Sequence, residues 1–232
     1  ALNFEIYMKN KYGAVRMDAY ERLKKAIIEG DYAPGELVQI SEFARDLGVS
    51  RTPVKEALSS VERDFLVDLI DGRGAIIRPL NVDEIRNINQ LREVVDGLAA
   101  RLSAKLMPNS HIAELKEKFE SMLNDPEAAG SEVHSQLSHK LHKAITDSCG
   151  NWVVQAQWRH LDTAFSRLKK KGWEVWRNSE EKKEISLRRL NEHLEILDAL
   201  EKRDPERAEQ AARTHIIRAT EDFLKFMDSP YQ

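Results

Sequence analysis

Apolar positions recur with a helical period along most of the chain and leave it in one short stretch. Val54, Ala57, Leu58 and Val61 fall on one face of a helix beginning near Arg51. Ahead of it, Leu47-Gly48-Val49-Ser50 reads as a helix end, a tight turn and a helix cap. Gly48 can take the left-handed backbone conformation of the turn, and the Ser50 hydroxyl can accept from the free N–H groups of the next helix. After Val61 the period changes. Phe65 to Ile70 (FLVDLI) is rich in strand formers, Asp71 to Gly74 (DGRG) is a turn, and AIIR returns as a second strand.

A helix-turn-helix followed by a two-stranded wing predicts a winged-helix reader of double-stranded DNA. The charges agree. Arg51, Thr52 and Lys55 crowd the first turn and a half of the second helix, where cations oppose the positive end of the helix dipole. An external polyanion would supply the missing negative charge. Thr52 suits a base edge or a phosphate, and Arg51 and Lys55 suit guanine edges or phosphates. Arg73, at the tip of the wing, is placed to enter a minor groove or grip a backbone. Upstream, Leu23, Ala26 and Ile27 share a face, so Asp18 to Glu29 is expected as the first helix of this domain, stopped by Gly30. Residues 1–17 show no clear period and are expected as an arm. Pro79 and Asn81 mark a boundary, giving a domain of residues 18–79 and a linker of 80–81.

From Val82 onward no strand pattern stands out. Helices are expected over Val82–Leu106, Ser110–Leu123, Ser131–Ser148, Trp152–Lys171, Glu180–Lys202 and Pro205–Met227. They are separated by Pro108-Asn109, Asn124-Asp125-Pro126, Gly150-Asn151, Gly172 and Asp204-Pro205. Asp204 is the expected cap of the last helix, with Pro205 in its first turn. Six amphipathic helices should bundle around one core in a second domain of residues 82–228. The fold class is therefore mostly α: an N-terminal winged helix-turn-helix and a C-terminal all-α bundle.

Polar residues stand where this period puts the interior. Arg92 lies in the stripe Ile85, Ile88, Val95, Ala99. His142 shares a face with Ser138, His139, Ile145 and Thr146, His193 with Leu190, Ile196 and Leu197, and His215 with Ala211, Ala212 and Ala219. A lone histidine on such a face is usually a satisfied core residue. Three on separate helices point instead to a shared cavity. His111, His134 and His160 lack these surroundings and are expected at the surface. For Arg92 the plain alternative is an ion pair with Asp96, one turn on.

Several segments resemble the GntR superfamily of bacterial transcription regulators. LGVSRTPVKEAL (Leu47 to Leu58), DYAPGELV (Asp31 to Val38) before it and GRGAII (Gly72 to Ile77) after it carry the likeness. It departs at Ser41, where relatives often have an arginine, at Ile40, usually Glu, and at Phe65, usually Gly. Farther on, LREVVDGLAARLSA (Leu91 to Ala104), LHKAITDSCGN (Leu141 to Asn151), EHLEILDAL (Glu192 to Leu200) and AARTHI (Ala211 to Ile216) resemble the FCD effector domain of the FadR-like branch. The resemblance implies a homodimer that reads a palindromic operator through Ser50, Arg51, Thr52, Lys55, Arg73 and Gly74. It also implies a divalent metal, usually zinc, on His142, His193 and His215, with a small organic acid effector held by the metal, Arg92 and Asn151. The family's fourth ligand, an aspartate, is replaced here by Ser138. This leaves Ser138 itself, His139 or water as the fourth ligand, or a metal-free pocket, as the alternatives.

Composition narrows the remaining classes. The chain has 232 residues, 41% of them hydrophobic and 32% charged, which suits a water-soluble helical protein with a real core. No apolar run approaches the length of a membrane span and no signal peptide is visible, so a cytoplasmic protein is expected. Cys149 is the one cysteine, which excludes an internal disulfide and reads as a small buried hydrophobe. The net charge of −3 does not announce DNA binding, so any positive footprint must be a local face. Regulation rather than enzymatic turnover is expected. A metal-dependent hydrolase built on the three histidines is the alternative, though no general base stands beside them. DNA binding without an effector is a third reading.

Overall fold

The computed structural model describes residues 2–79, 81–125, 130–176 and 181–227, with side chains from 13 to 167 and from 181 to 225 inside those ranges. The chain divides into two compact units. One holds residues 1–81 with 162–170, the other 82–161 with 171–232. Leu80, Pro126, Glu180 and Asp228, at expected boundaries, lie outside the described residues.

In the first unit the elements are α1 (Leu2–Glu29), β1 (Leu37–Gln39), α2 (Ile40–Leu47), α3 (Arg51–Arg63), β2 (Val67–Ile70) and β3 (Gly74–Ile77). The segment expected as an arm is helical, and the first helix begins well before Asp18. From Leu2 to Glu29 the backbone is one continuous helix. Ala19, Leu23 and Ile27, in its C-terminal part, are buried in the core of this unit. Gly48 closes α2 at φ 64°, ψ 33°, and its N–H returns to the carbonyls of Ala44 and Arg45. Val54, Ala57, Leu58 and Val61 are fully buried, as their spacing predicted.

The wing has three strands, not two. β1 pairs with β3 and β3 with β2, all antiparallel, with Gln39 opposite Gly74 and Leu69 opposite Ala75. A Cβ on Gly74 would lie 1.9 Å from the Val38 carbonyl oxygen, so the third strand requires glycine there. The second strand begins at Val67, not Phe65. Phe65 follows the end of α3 at φ 59°, a left-handed conformation that glycine adopts without strain.

The second unit contains α4 (Val82–Leu106), α5 (Asn109–Leu123), α6 (Glu132–Ser148), α8 (Lys182–Glu201), α9 (Pro205–Met227) and the two ends of α7 (Trp152–Trp176), whose residues 162–170 are grouped with the first unit. α4 packs along α9 and against α6, and α8 packs on α9, α5 and α4. Asp204 caps α9 as expected, its Oδ1 accepting from Arg207 N–H at 3.0 Å. The expected stop at Gly172 is corrected. α7 runs through it to Trp176, since one interior glycine costs a helix only about 1 kcal/mol. α8 is buried on a wide arc, from Ile185 and Ser186 through Leu190, Glu192, His193, Ile196 and Leu197 to Leu200. It is the helix around which the polar interior forms.

Candidate functional site

Two sets of side chains carry chemistry, one in each unit. In the first, α3 buries Val54, Ala57, Leu58 and Val61 and turns its opposite side outward, so that Ser50, Arg51, Thr52 and Lys55 are all exposed. Ser50 occupies the N-cap position, but its hydroxyl makes no capping hydrogen bond. The expected cap is therefore present in place and absent in bonding. Arg73 is exposed in the wing turn, and its backbone carbonyl accepts from Ile40 N–H at 3.1 Å. Gly74 is buried and has the structural reason given above.

In the second unit, α6, α8 and α9 bring together His142, His193 and His215. All three are buried, each with a possible ligand atom within 4.8 Å of the others. Their ring centroids are 4.4 Å apart for His193 and His215, 5.3 Å for His142 and His215, and 5.8 Å for His142 and His193. Two of the rings are held by carboxylates. His142 Nδ1 donates to Asp96 Oδ1 at 2.9 Å, and His215 Nδ1 to Glu192 Oε2 at 2.9 Å. His193 differs. Its Nε2 meets the Ser138 hydroxyl at 3.1 Å, and its buried Nδ1 has no hydrogen-bond partner.

Of the two residues expected to stand in for the missing aspartate, the fold brings Ser138 to the cluster and leaves His139 outside it. The His139 ring lies against Trp158, 5.9 Å between centroids. His134 is a correction. Instead of lying at the surface it is buried against His193 and Phe119, and its Nδ1 accepts from Gly130 N–H at 3.2 Å. Asn151 caps α7, its Oδ1 accepting from Val153 and Val154 N–H at 3.0 and 3.3 Å. Cys149 is buried, as a small hydrophobe would be.

Arg92 and Asp96 are both buried, with Arg92 Nε 3.7 Å from Asp96 Oδ2, so the plain ion pair does form. Asp96 also accepts from Trp158 Nε1 at 3.3 Å. Burial pushes the Asp96 carboxyl up, but the Arg92 charge and the His142 bond together hold it below its ordinary range. Glu192 behaves alike: burial raises it, and His215 and Arg218 bring it below its ordinary range. Burial, with His215 and His142 close by, takes His193 well below its usual value. It takes His215 down to about 4 despite the bond to Glu192. These two imidazoles are therefore neutral at neutral pH and able to offer a lone pair.

The roles of Asp96 and Glu192 toward the histidines were not foreseen from the sequence. Asp96 carried a signal, since it lies on the inward stripe of α4. Glu192 carried none that a single helical face could give, because α8 is buried on more than one side.

The profile of the FCD domain matches residues 87–218, and that of the gntR family of bacterial regulatory proteins matches residues 16–77. The chain belongs to the GntR family and carries an FCD domain. Members of this family are transcription regulators rather than enzymes, so the alternative of a metal-dependent hydrolase is set aside. The galactonate operon transcriptional repressor of Escherichia coli is 26% identical over 219 residues, covering 85% of this chain and 92% of its own. The HTH-type transcriptional regulator YdhC of Bacillus subtilis is 25% identical over 199 residues, covering 84% and 85%. Among solved structures, Escherichia coli McbR/YncC superposes with a TM-score of 0.66 at 17% identity, over 92% of this chain and 99% of that one. A GntR regulator from Rhodococcus sp. RHA1 gives 0.59 at 22% identity, over 94% and 99%. These two likenesses speak to fold alone. Among the described residues, no helix of this GntR regulator is long and apolar enough to cross a membrane.

Proposed function

We propose that this GntR regulator is a cytoplasmic homodimer that reads a palindromic operator, and that a small organic acid bound in its FCD domain changes that binding. The N-terminus of α3 enters the major groove, with Ser50, Arg51, Thr52 and Lys55 facing bases and phosphates, and the wing residues Arg73 and Gly74 lie along the minor groove or backbone. Exposed Leu91, Val94 and Leu98 form one stripe on α4, and an apolar stripe of this kind supports self-association.

The observation that carries the effector reading is the buried group made by His142, His193, His215, Asp96 and Arg92. The donor set fits a divalent ion, with zinc the leading candidate. Neutral imidazoles are good ligands for such ions, and His193 keeps a buried nitrogen without a partner. His142, His193 and His215 would hold the ion, which supplies a Lewis-acid centre for an effector carboxylate. Arg92 would take the same carboxylate, leaving its present partner Asp96 to the His142 side. Asn151, whose Oδ1 caps the start of α7, is the further effector contact in this reading. A relative named for the galactonate operon agrees with an organic acid as effector.

The test begins with an operator selected from random DNA. Fluorescence anisotropy with that operator, zinc and a panel of organic acids should find an acid that changes affinity, and Arg92→Met should abolish the change. A mutant that responds like the wild type would reduce Arg92 to a structural ion pair. A wild type insensitive to every acid would leave the reading of DNA binding without an effector.

A further inference from the structure

We propose that Asp96 and Glu192, acting through His142 and His215, supply the negative charge with which this site holds a divalent ion, in place of an anionic fourth ligand. The inference rests on the metal reading above.

Three neutral imidazoles and a serine bring no charge to offset a doubly positive ion. A buried site of that kind would bind weakly, because the ion loses its water and gains only dipoles. Here, however, two carboxylates stand one ring behind the ligands. Asp96, from α4, and Glu192, from α8, each accept from an Nδ1 at 2.9 Å. An ionised carboxylate can only accept, so the proton sits on Nδ1 and the lone pair is fixed on Nε2 in both rings. The bond also makes each imidazole a stronger donor. Both carboxylates are kept ionised in place by arginines, Asp96 beside Arg92 and Glu192 by Arg218 at 3.2 Å. His193 has no such support, for Ser138 offers its ring a hydroxyl. The site is thus two stiff, electron-rich ligands and one freer ring. Asp96 and Glu192 are positioning residues, since they touch the ligands and not the ion.

Zinc affinity, measured on the full chain by competition with a chromophoric chelator, tests this without any effector. Asp96→Asn and Glu192→Gln keep shape and remove charge, and each should weaken zinc binding by about 10–100-fold. Ser138→Asp, which leaves both carboxylates in place, should tighten it, and should restore affinity when added to Asp96→Asn. With cobalt in place of zinc, the visible absorption bands should shift in both charge-removing variants, a readout that loss of packing alone does not give while the circular dichroism of the metal-free protein stays that of wild type. Wild type that binds zinc with both variants binding equally well overturns the proposal and leaves the metal reading standing. Asp96→Asn that weakens binding but is not restored by Ser138→Asp overturns it as well. Wild type that binds no zinc overturns the metal reading and this proposal together.

Discussion

Acid should unfold the metal-free protein earlier than its carboxylates alone require, and His215 sets the scale. Its pKa in the folded protein is about 4, against an ordinary 6.5, because burial disfavours the imidazolium. Between those two values the unfolded chain takes up a proton that the folded chain refuses. The stability contributed by neutral His215 is therefore complete above the ordinary value and is lost as pH falls toward 4. For this residue alone the loss is about 2 kcal/mol at pH 5, rising to about 3 kcal/mol below pH 4. His193 is shifted in the same direction by burial and by its two histidine neighbours, so it adds to the loss. Asp96 and Glu192 have lowered values, and their contribution disappears only at lower pH, in and below the ordinary carboxylate range. The interval above about pH 5 thus belongs to the histidines. Urea unfolding of chelator-treated protein from about pH 8 to about pH 5 should show the midpoint falling, and His215→Gln should flatten the curve. A wild-type midpoint that does not move over this interval would refute the claim that these rings are buried and neutral.

Other expectations follow from single positions. Arg51→Ala should cost about 1–3 kcal/mol of operator affinity if the side chain reads a base, and Lys55→Ala should lower the salt dependence if it meets phosphate; unchanged anisotropy titrations for both would remove them from the interface. Phe65→Gly should be more stable than Phe65→Ala by about 1 kcal/mol, since both lose the ring but only alanine keeps the left-handed strain; equal melting temperatures would count against that strain. Gly74→Val should destabilise the winged-helix unit by several kcal/mol, because its side chain meets the Val38 carbonyl; a fold that tolerates it in thermal melts would show the third strand to be dispensable. Val94→Glu should shift sedimentation toward the monomer if the α4 stripe is the dimer contact, and an unchanged dimer would place the contact elsewhere.

Much of the fold was readable because each of its elements states its period locally. α4 and α9 begin and end where their punctuation says, and the inward polar residues Arg92, His142, His193 and His215 are all buried. What escaped depended on partners distant in sequence. β1 is three residues long and exists only through its pairing with β3. α1 extends to Leu2 although its first half has no stripe to announce it. His134 looked like a surface residue because its neighbours on α6 are mixed, yet Phe119 of α5 and His193 of α8 enclose it. Glu192 lies beside His193 in sequence but serves His215, 23 positions on, a pairing that no helical wheel displays. Ser138 and His139 could not be separated by spacing, and only the packing of His139 on Trp158 decides between them.

The uncapped start of α3 has a consequence for how this protein can change. Ser50 holds the N-cap position with its hydroxyl unbonded, and a carboxylate there would bring negative charge as well as an acceptor. Aspartate there would accept from the first-turn N–H groups and complement the helix dipole, adding up to about 1 kcal/mol of stability. The same carboxylate would face the phosphates that Arg51 and Lys55 are placed to meet. Selection for heat resistance alone would favour the aspartate and silence the regulator, so at this position robustness and recognition pull against each other.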